Sequence, residues 1–288
     1  MRNPGPDIYI ALFLIPYGEE ITMEPEFKRK WGLMFKALLI MLALLFLRTA
    51  IDLAGYDIIP VNRVVGAFIT GAIFTIAIIF TGTFTDFKES EKAGSDLASA
   101  LKALYNDSCV LPLNDEAPAR VFRQHLRDLH RTIRDGLREN RFSLGEVNRA
   151  MDVLNNDVRT LSFLNVAPPL IAKLRNEMGS IDRICNRIEV IIRTDFIPAA
   201  YALAELATGG VILLMLFIHL DNMFESTTIF AIVCTMLIGL LLLIHDMDNP
   251  FEFGPDAYAD VDLESLVFLE TYFDEQDAAM AKNPLSPG

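Results

Sequence analysis

The chain has 288 residues, of which 52% are hydrophobic, and its 25 basic and 38 acidic side chains give a formal net charge of −13. A mean hydropathy of +0.34 is too apolar for a typical soluble domain, so apolar and charged residues must be segregated along the chain. The acidic balance argues against a nucleic-acid-binding protein, and three scattered cysteines without C-x-x-C spacing argue against a disulfide framework or a zinc site.

The first 30 residues contain a short apolar stretch from Ile8 to Tyr17, which is interrupted by Pro16 and followed by Glu19 and Glu20. Apart from Arg2, the stretch lacks the basic flank of a cleaved signal peptide. We therefore expect an N-terminal interfacial or protein-docked segment over residues 1–30.

Four later segments are apolar over the length of about 20 helical residues that crosses a bilayer. They are residues 31–53, 64–84, 199–220 and 227–244. Short turns join the first to the second and the third to the fourth, so the spans form two hairpins. Lys28, Arg29 and Lys30 precede the first span, and Lys88 and Lys92 follow the second. By the positive-inside rule we expect a multi-pass plasma-membrane protein with both termini in the cytoplasm.

A few charged residues lie inside these spans. Arg48 and Asp52 are four residues apart on one helix and can form a structural pair. Glu205 lies about two turns inside the third span, where a carboxylate is costly and usually faces protein or water. A functional role for Glu205 and a pairing with Lys36 or a cytoplasmic base are both open interpretations.

Residues 85–198 predict a helical cytoplasmic domain. The second span continues without a break through Leu97 and Leu104, so we expect it to run straight into the cytoplasm. Three further amphipathic helices follow, one over roughly 119–140, one opened by an S-x-x-E capping box at Ser143, and one started by Pro168.

The helix over 119–140 carries a basic row beside its apolar row. The basic row consists of Arg120, Arg123, Arg127, Arg131, Arg134 and Arg138. It can attract permeating anions into a vestibule, bind lipid headgroups, or pair with the acidic tail over residues 245–288. The tail in turn is either solvated or lies against the arginines.

Several stretches together resemble bestrophins, and more closely the uncharacterised bestrophin-like membrane proteins of bacteria and archaea. They are the second span's charged continuation TFTDFKESEKAGSDLASALKAL, the proline-started third span RTDFIPAAYALAELATGG, and the end of the fourth span, DMDNPF. The resemblance covers roughly Val64 to Glu264. It implies a homo-oligomeric anion channel, pentameric where known, with an axial pore lined by the second helix of each subunit.

One face of the second span is the candidate lining of such a pore. Its residues repeat at helical spacing and are Thr70, Phe74, Ala77, Thr81 and Phe84. Hydrophobic rings of this kind can gate a channel by dewetting. The alternative is that Phe74 and Phe84 face lipid or neighbouring helices.

The resemblance also concerns calcium, which many animal bestrophins bind through acids shortly after Asn-Pro-Phe. The corresponding acids here are Asp256, Asp260, Asp262 and Glu264, but apolar residues and glycine separate them, whereas the family has a compact acidic run. We therefore predict no cofactor from the pattern alone and keep calcium binding as a hypothesis.

The sequence lacks G-x-S-x-G, P-loop and H-E-x-x-H motifs, so we do not expect an enzyme. The leading hypothesis is a homo-oligomeric ion channel for anions, whose partners are its own copies, membrane lipids and small inorganic ions. The alternative is a membrane-anchored scaffold or sensor whose cytoplasmic helices bind a partner. A cation or magnesium pathway that uses the acidic tail rests on charge sign alone and ranks lowest.

Overall fold

The computed structural model describes residues 25–111, 116–164, 166–193, 198–219, 221–254 and 257–282. These residues form eight helices and two very short strands. In chain order they are α1 Pro25–Leu53, β1 Ile59–Pro60, α2 Arg63–Cys109, α3 Ala117–Arg138, α4 Leu144–Phe163, α5 Pro168–Arg193, α6 Pro198–Leu216, β2 Ile218–His219, α7 Met223–Met247 and α8 Glu264–Lys282. Most of the segment predicted over residues 1–30 lies outside the described residues.

Helices α1, α2, α6 and α7 are long and apolar enough to cross a membrane, which agrees with the four predicted spans. Helix α1 packs on α7, and α2 packs on α6. Fully buried residues at these contacts include the small side chains of Ala37 and Ala204, together with Ile76 and Phe230. Small residues allow close approach, and van der Waals packing of this kind holds helices together in lipid.

The third and fourth spans differ from their predicted bounds at the turn that joins them. Helix α6 ends at Leu216 because Ile218–His219 pairs in parallel with Ile59–Pro60. Strands of two residues carry no periodic signal, and the sequence predicted none. Helix α7 begins at Met223, four residues earlier than predicted, because the Asn222 side chain accepts a hydrogen bond from the backbone N–H of Phe224 at 3.1 Å.

Helix α2 connects the membrane layer to the cytoplasmic domain without interruption. It has 47 residues and is therefore about 70 Å long at 1.5 Å per residue. The Asn62 side chain caps its start by accepting hydrogen bonds from the backbone N–H groups of Val64 and Val65 at 2.9 and 3.0 Å. The predicted continuous second helix is confirmed.

The cytoplasmic half of α2 packs on α3, α5 and α8, and α4 packs on α3 and α5, so that these helices surround a second apolar core. Leu97 and Leu101 of α2, Phe122 and Leu126 of α3 and Ile181 of α5 are fully buried there.

Ser143 is the N-cap residue of α4, as predicted from the S-x-x-E pattern, but its side chain forms no capping hydrogen bond. The predicted boundary is therefore right, while the predicted hydrogen bond is not present.

The acidic tail contains a helix, α8, that was not predicted from the sequence. Leu266, Leu269 and Phe273 repeat at three and four residues and are buried. The Phe273 ring stacks on Tyr105 of α2 with 4.2 Å between the ring centroids. The many acids around this apolar row masked its period, and α8 lies against α2 and α3 instead of extending into solvent.

Candidate pore-lining surface

The five residues predicted to line a pore lie together on one exposed face of α2. We call Thr70, Phe74, Ala77, Thr81 and Phe84 the α2 stripe. Phe74 is 66% exposed and Phe84 is 42% exposed. The buried residues of the same stretch, Ala72, Ile76, Ile79 and Thr83, lie on the opposite side of the helix. The α2 stripe therefore faces away from the other helices of the described chain.

The α2 stripe offers neither charge nor a free hydrogen-bond donor. The Thr70 hydroxyl donates to the Gly66 carbonyl at 2.8 Å, and the Thr81 hydroxyl donates to the Ala77 carbonyl at 2.8 Å. Each threonine thus uses its only hydroxyl hydrogen within the helix. Copies of this face around an axis would form a narrow apolar constriction of the kind that gates by dewetting.

Two arginines of the predicted basic row are buried against α8. The Arg127 guanidinium binds Asp274 at 2.5 Å and Asp277 at 2.7 Å, while Arg123 lies 3.7 Å from Asp277. Desolvation lowers the pKa of Arg127, but the hydrogen bonds with Asp274 and Tyr105 raise it by more. The pKa of Arg127 therefore lies above its ordinary value, and the guanidinium stays charged.

Two further arginines of the row share one acid of α8. The Arg131 guanidinium binds Glu270 at 3.0 Å, and Arg134 also donates to Glu270. The hydrogen bond from Arg134 is the main reason that the pKa of Glu270 is lowered. Arg120 and Arg138, at the two ends of the row, are exposed.

We call the ion pairs of Arg123, Arg127, Arg131 and Arg134 with the acids of α8 the tail clamp. Tyr105 and His130 belong to the same interface: the Tyr105 hydroxyl donates to Asp277 at 2.5 Å, and His130 Nε2–H donates to the Leu266 carbonyl at 2.7 Å. Burial raises the pKa of Tyr105 and lowers that of His130, so both side chains are neutral. Of the three interpretations of the basic row, pairing with the tail is the one that these contacts match.

The charged residues inside the spans have different surroundings. Arg48 is 2% exposed and lies 3.8 Å from Asp52, which agrees with the predicted pair. It also donates to the backbone carbonyls of Met215 and Ile218 and to the Ser226 hydroxyl. These three acceptors were not predictable from the sequence, and through them Arg48 ties α1 to the turn between α6 and α7.

Glu205 is exposed on α6. The ammonium of Lys36, one of its predicted partners, lies 4.9 Å from the centroid of the Tyr258 ring.

Those of the acids proposed to bind calcium that the structure describes do not converge on one point. Asp256 lies outside the described residues, and Asp262 accepts a hydrogen bond from the backbone N–H of Glu264 at 2.7 Å, which caps α8. Asp260 is half-buried, and Glu264 is exposed. Within the described ranges, no three His, Cys, Asp or Glu side chains converge on one point where a metal could sit.

The helices define an all-α membrane protein with two transmembrane hairpins and a helical cytoplasmic domain. No protein-family model and no curated protein match the sequence.

Solved structures of a bacterial bestrophin homologue from Klebsiella pneumoniae do match the fold. Two single-substitution variants are each 11% identical to this chain, with TM-scores of 0.67 and 0.68. They cover 85% and 87% of this chain and 99% of their own. A third structure of the homologue is 12% identical, with a TM-score of 0.66, and covers 85% of this chain and 97% of its own. The chain therefore has the fold of bacterial bestrophin homologues, and the resemblance found in the sequence is confirmed at the level of the fold.

Proposed function

We propose that this chain is the subunit of a homo-oligomeric ion channel in the cell membrane, which conducts anions along an axis lined by the α2 stripe. The observation that carries the proposal is the stripe itself, an exposed and charge-free face on a helix that continues into the cytoplasmic domain. Among the described residues of one subunit no helix packs against this face, and one helix cannot enclose a pore. In an assembly of several subunits, their α2 stripes would together line the pore.

The other exposed apolar faces fit contact with lipid. Leu39 and Phe46 of α1 are 68% and 80% exposed, and Met236 of α7 is 69% exposed. These helices flank α2 on the side away from the stripe, because α1 packs on α7 and α7 also contacts α2. This arrangement supports lipid around the outside and the α2 stripes at the centre, with both termini in the cytoplasm and five subunits by the bestrophin resemblance.

The scaffold alternative requires a partner for the cytoplasmic helices and an exposed arginine row. The tail clamp buries Arg123 and Arg127, which are 7% and 8% exposed. A docking surface built on that row would have to displace α8 first. The channel is therefore the better supported of the two proposals.

An anion-flux assay on purified protein in liposomes tests the channel. We expect chloride efflux from vesicles that contain the wild-type protein, and we expect Phe84→Ala or Phe74→Ala to raise it because a smaller side chain widens an apolar constriction. Phe68→Ala is the matched control: Phe68 lies on the same helix but against Gly210 of α6, away from the stripe. Absence of any ion flux from a confirmed oligomer would refute the channel, and equal effects of all three substitutions would refute the stripe as its lining.

The calcium hypothesis can be tested in the same vesicles. The hypothesis that the segment from Asp256 to Glu264 binds calcium predicts that flux differs between chelated and added calcium. The double variant Asp260→Asn, Asp262→Asn should remove that difference. Identical flux with and without calcium in the wild-type protein would contradict calcium regulation.

A further inference from the structure

We propose that the charge preference of the channel is set below the membrane, by lysines on the cytoplasmic continuation of the α2 stripe. We call Lys88, Lys92 and Lys102 the lysine ladder. The inference rests on the proposed function, because it assumes that ions pass along this face of α2. It adds the residues that would attract small inorganic anions to the pathway and hold cations back.

The ladder follows from the geometry of one straight helix. Beyond Phe84 the spacing of three and four residues that defines the α2 stripe continues through Lys88, Lys92, Ser95, Ser99 and Lys102. All five of these side chains are exposed, and α2 is unbroken from Arg63 to Cys109. The ladder extends over about 21 Å along the helix axis at 1.5 Å per residue. An ion leaving the stripe on the cytoplasmic side would therefore meet the lysines next.

Two acids of the same half of α2, Glu89 and Asp107, pair with α5 and not with this face. Glu89 points to α5, where Arg187 binds it at 3.1 and 3.0 Å through two nitrogens. Asp107 pairs with Lys173 of α5 at 2.6 Å. Asp86 lies on the opposite side of the helix, whereas Asp96 is four residues from Lys92 and lies at the edge of the row. The row itself therefore contains three lysines and no acid, although Glu91 and Asp96 flank it.

The lysines themselves keep most of their charge available. Glu91 lies beside the ladder and pairs with Lys88 at 2.6 Å, with 54% of the Lys88 side chain exposed. The Lys102 ammonium lies 4.4 Å from the centroid of the Tyr272 ring, a contact that leaves its charge unneutralised. Lys92 is exposed. The tail clamp occupies four of the six arginines in the row on α3, and only Arg120 and Arg138 at its ends remain exposed.

The α2 stripe offers an ion no formal charge and no free hydroxyl hydrogen, because its threonine hydrogens are used within the helix. In an assembly, each lysine becomes a ring of positive charge around the axis. A cleft lined with one sign of charge raises the local concentration of the opposite ion by about tenfold or more. The ladder is therefore the part of the pathway on which selectivity for anions would depend.

Reversal potentials of the wild-type protein and the variant Lys88→Gln, Lys92→Gln, Lys102→Gln in planar bilayers test this inference. We expect the chloride-to-sodium permeability ratio to fall about tenfold at 0.1 M salt. The difference should largely vanish at 1 M salt, where the screening length is about 3 Å. The matched variant Lys88→Arg, Lys92→Arg, Lys102→Arg should retain the wild-type ratio. The control Arg149→Gln removes an exposed base of α4, whose only described partner is Glu146 on the same helix, and should also retain it.

Single substitutions keep the test decisive if the triple variant does not assemble. Glu91→Gln releases Lys88 from its partner and should raise the chloride-to-sodium ratio, while Lys92→Gln should lower it. Conduction by the wild-type protein with unchanged ratios in these variants would overturn the ladder and leave the channel standing. A wild-type oligomer that conducts no ion would overturn the proposed function, and the two failures are thus distinguishable.

Discussion

The packing of α8 on the cytoplasmic domain can be tested with the single substitution Phe273→Ala. Phe273 is fully buried, stacks on Tyr105 with 4.2 Å between centroids, and meets the edge of the His130 ring at 5.6 Å. Truncation of a buried phenylalanine to alanine costs about 3–5 kcal/mol in a rigid core. Each tail-clamp pair contributes less, because Asp274 and Asp277 have 68% and 44% of their side chains exposed to solvent.

Amide hydrogen exchange in detergent measures this loss directly. If α8 opens as a local unit, 3–5 kcal/mol corresponds to a decrease in protection of roughly 10²- to 10⁴-fold for its amides. The control is Phe268→Ala, because Phe268 lies on the same helix and is 58% exposed. We expect it to change protection by less than about tenfold. Equal protection in the two variants would refute the packing of α8 through Phe273.

Three further predictions concern single residues. Arg48→Met should lower the melting temperature of the purified protein, because Asp52 and the Ser226 hydroxyl lose their partner. Breaking a buried ion pair of this kind costs about 3 kcal/mol, and an unchanged melting temperature would contradict the role of Arg48 in joining α1 to α7. The pKa of Glu270 is lowered mainly by Arg134, so its stabilising contribution is present above the ordinary pKa of 4.5 and is lost as the pH falls below it. The protection factors of the α8 amides, corrected for the intrinsic exchange rate at each pH, should therefore fall between pH 5 and about pH 3, and Glu270→Gln should remove that part of the fall. Asp262→Ala should destabilise α8 by about 1 kcal/mol through loss of its cap, and protection equal to wild type at the first turn would exclude a capping role.

The sequence determined the membrane part of this protein with few errors. A helical span needs about 20 consecutive apolar residues to cross a bilayer. Each span could therefore be identified from its own local sequence, without knowledge of the helices that pack against it. The α2 stripe was also predictable, since the residues of one helical face follow from spacing alone. The same helical spacing places the lysine ladder below the stripe. Its proposed role could be inferred only from the structure, which shows that α2 is unbroken and that Glu89 pairs with Arg187 of α5.

Contacts between distant parts of the chain were decided only by the tertiary structure. Tyr105 donates to Asp277 across 172 positions, and Arg48 donates to Ile218 across 170. The opposite charges of the arginine row and the tail made their pairing one possible interpretation of the sequence. They did not predict which acids would bind or that the tail would form α8. Attraction between unit charges depends on distance and on local desolvation, and both are properties of the packed chain. Local patterns therefore decided which segments are helices and which faces are apolar, whereas packing between helices decided which charged side chains are paired and which are left exposed.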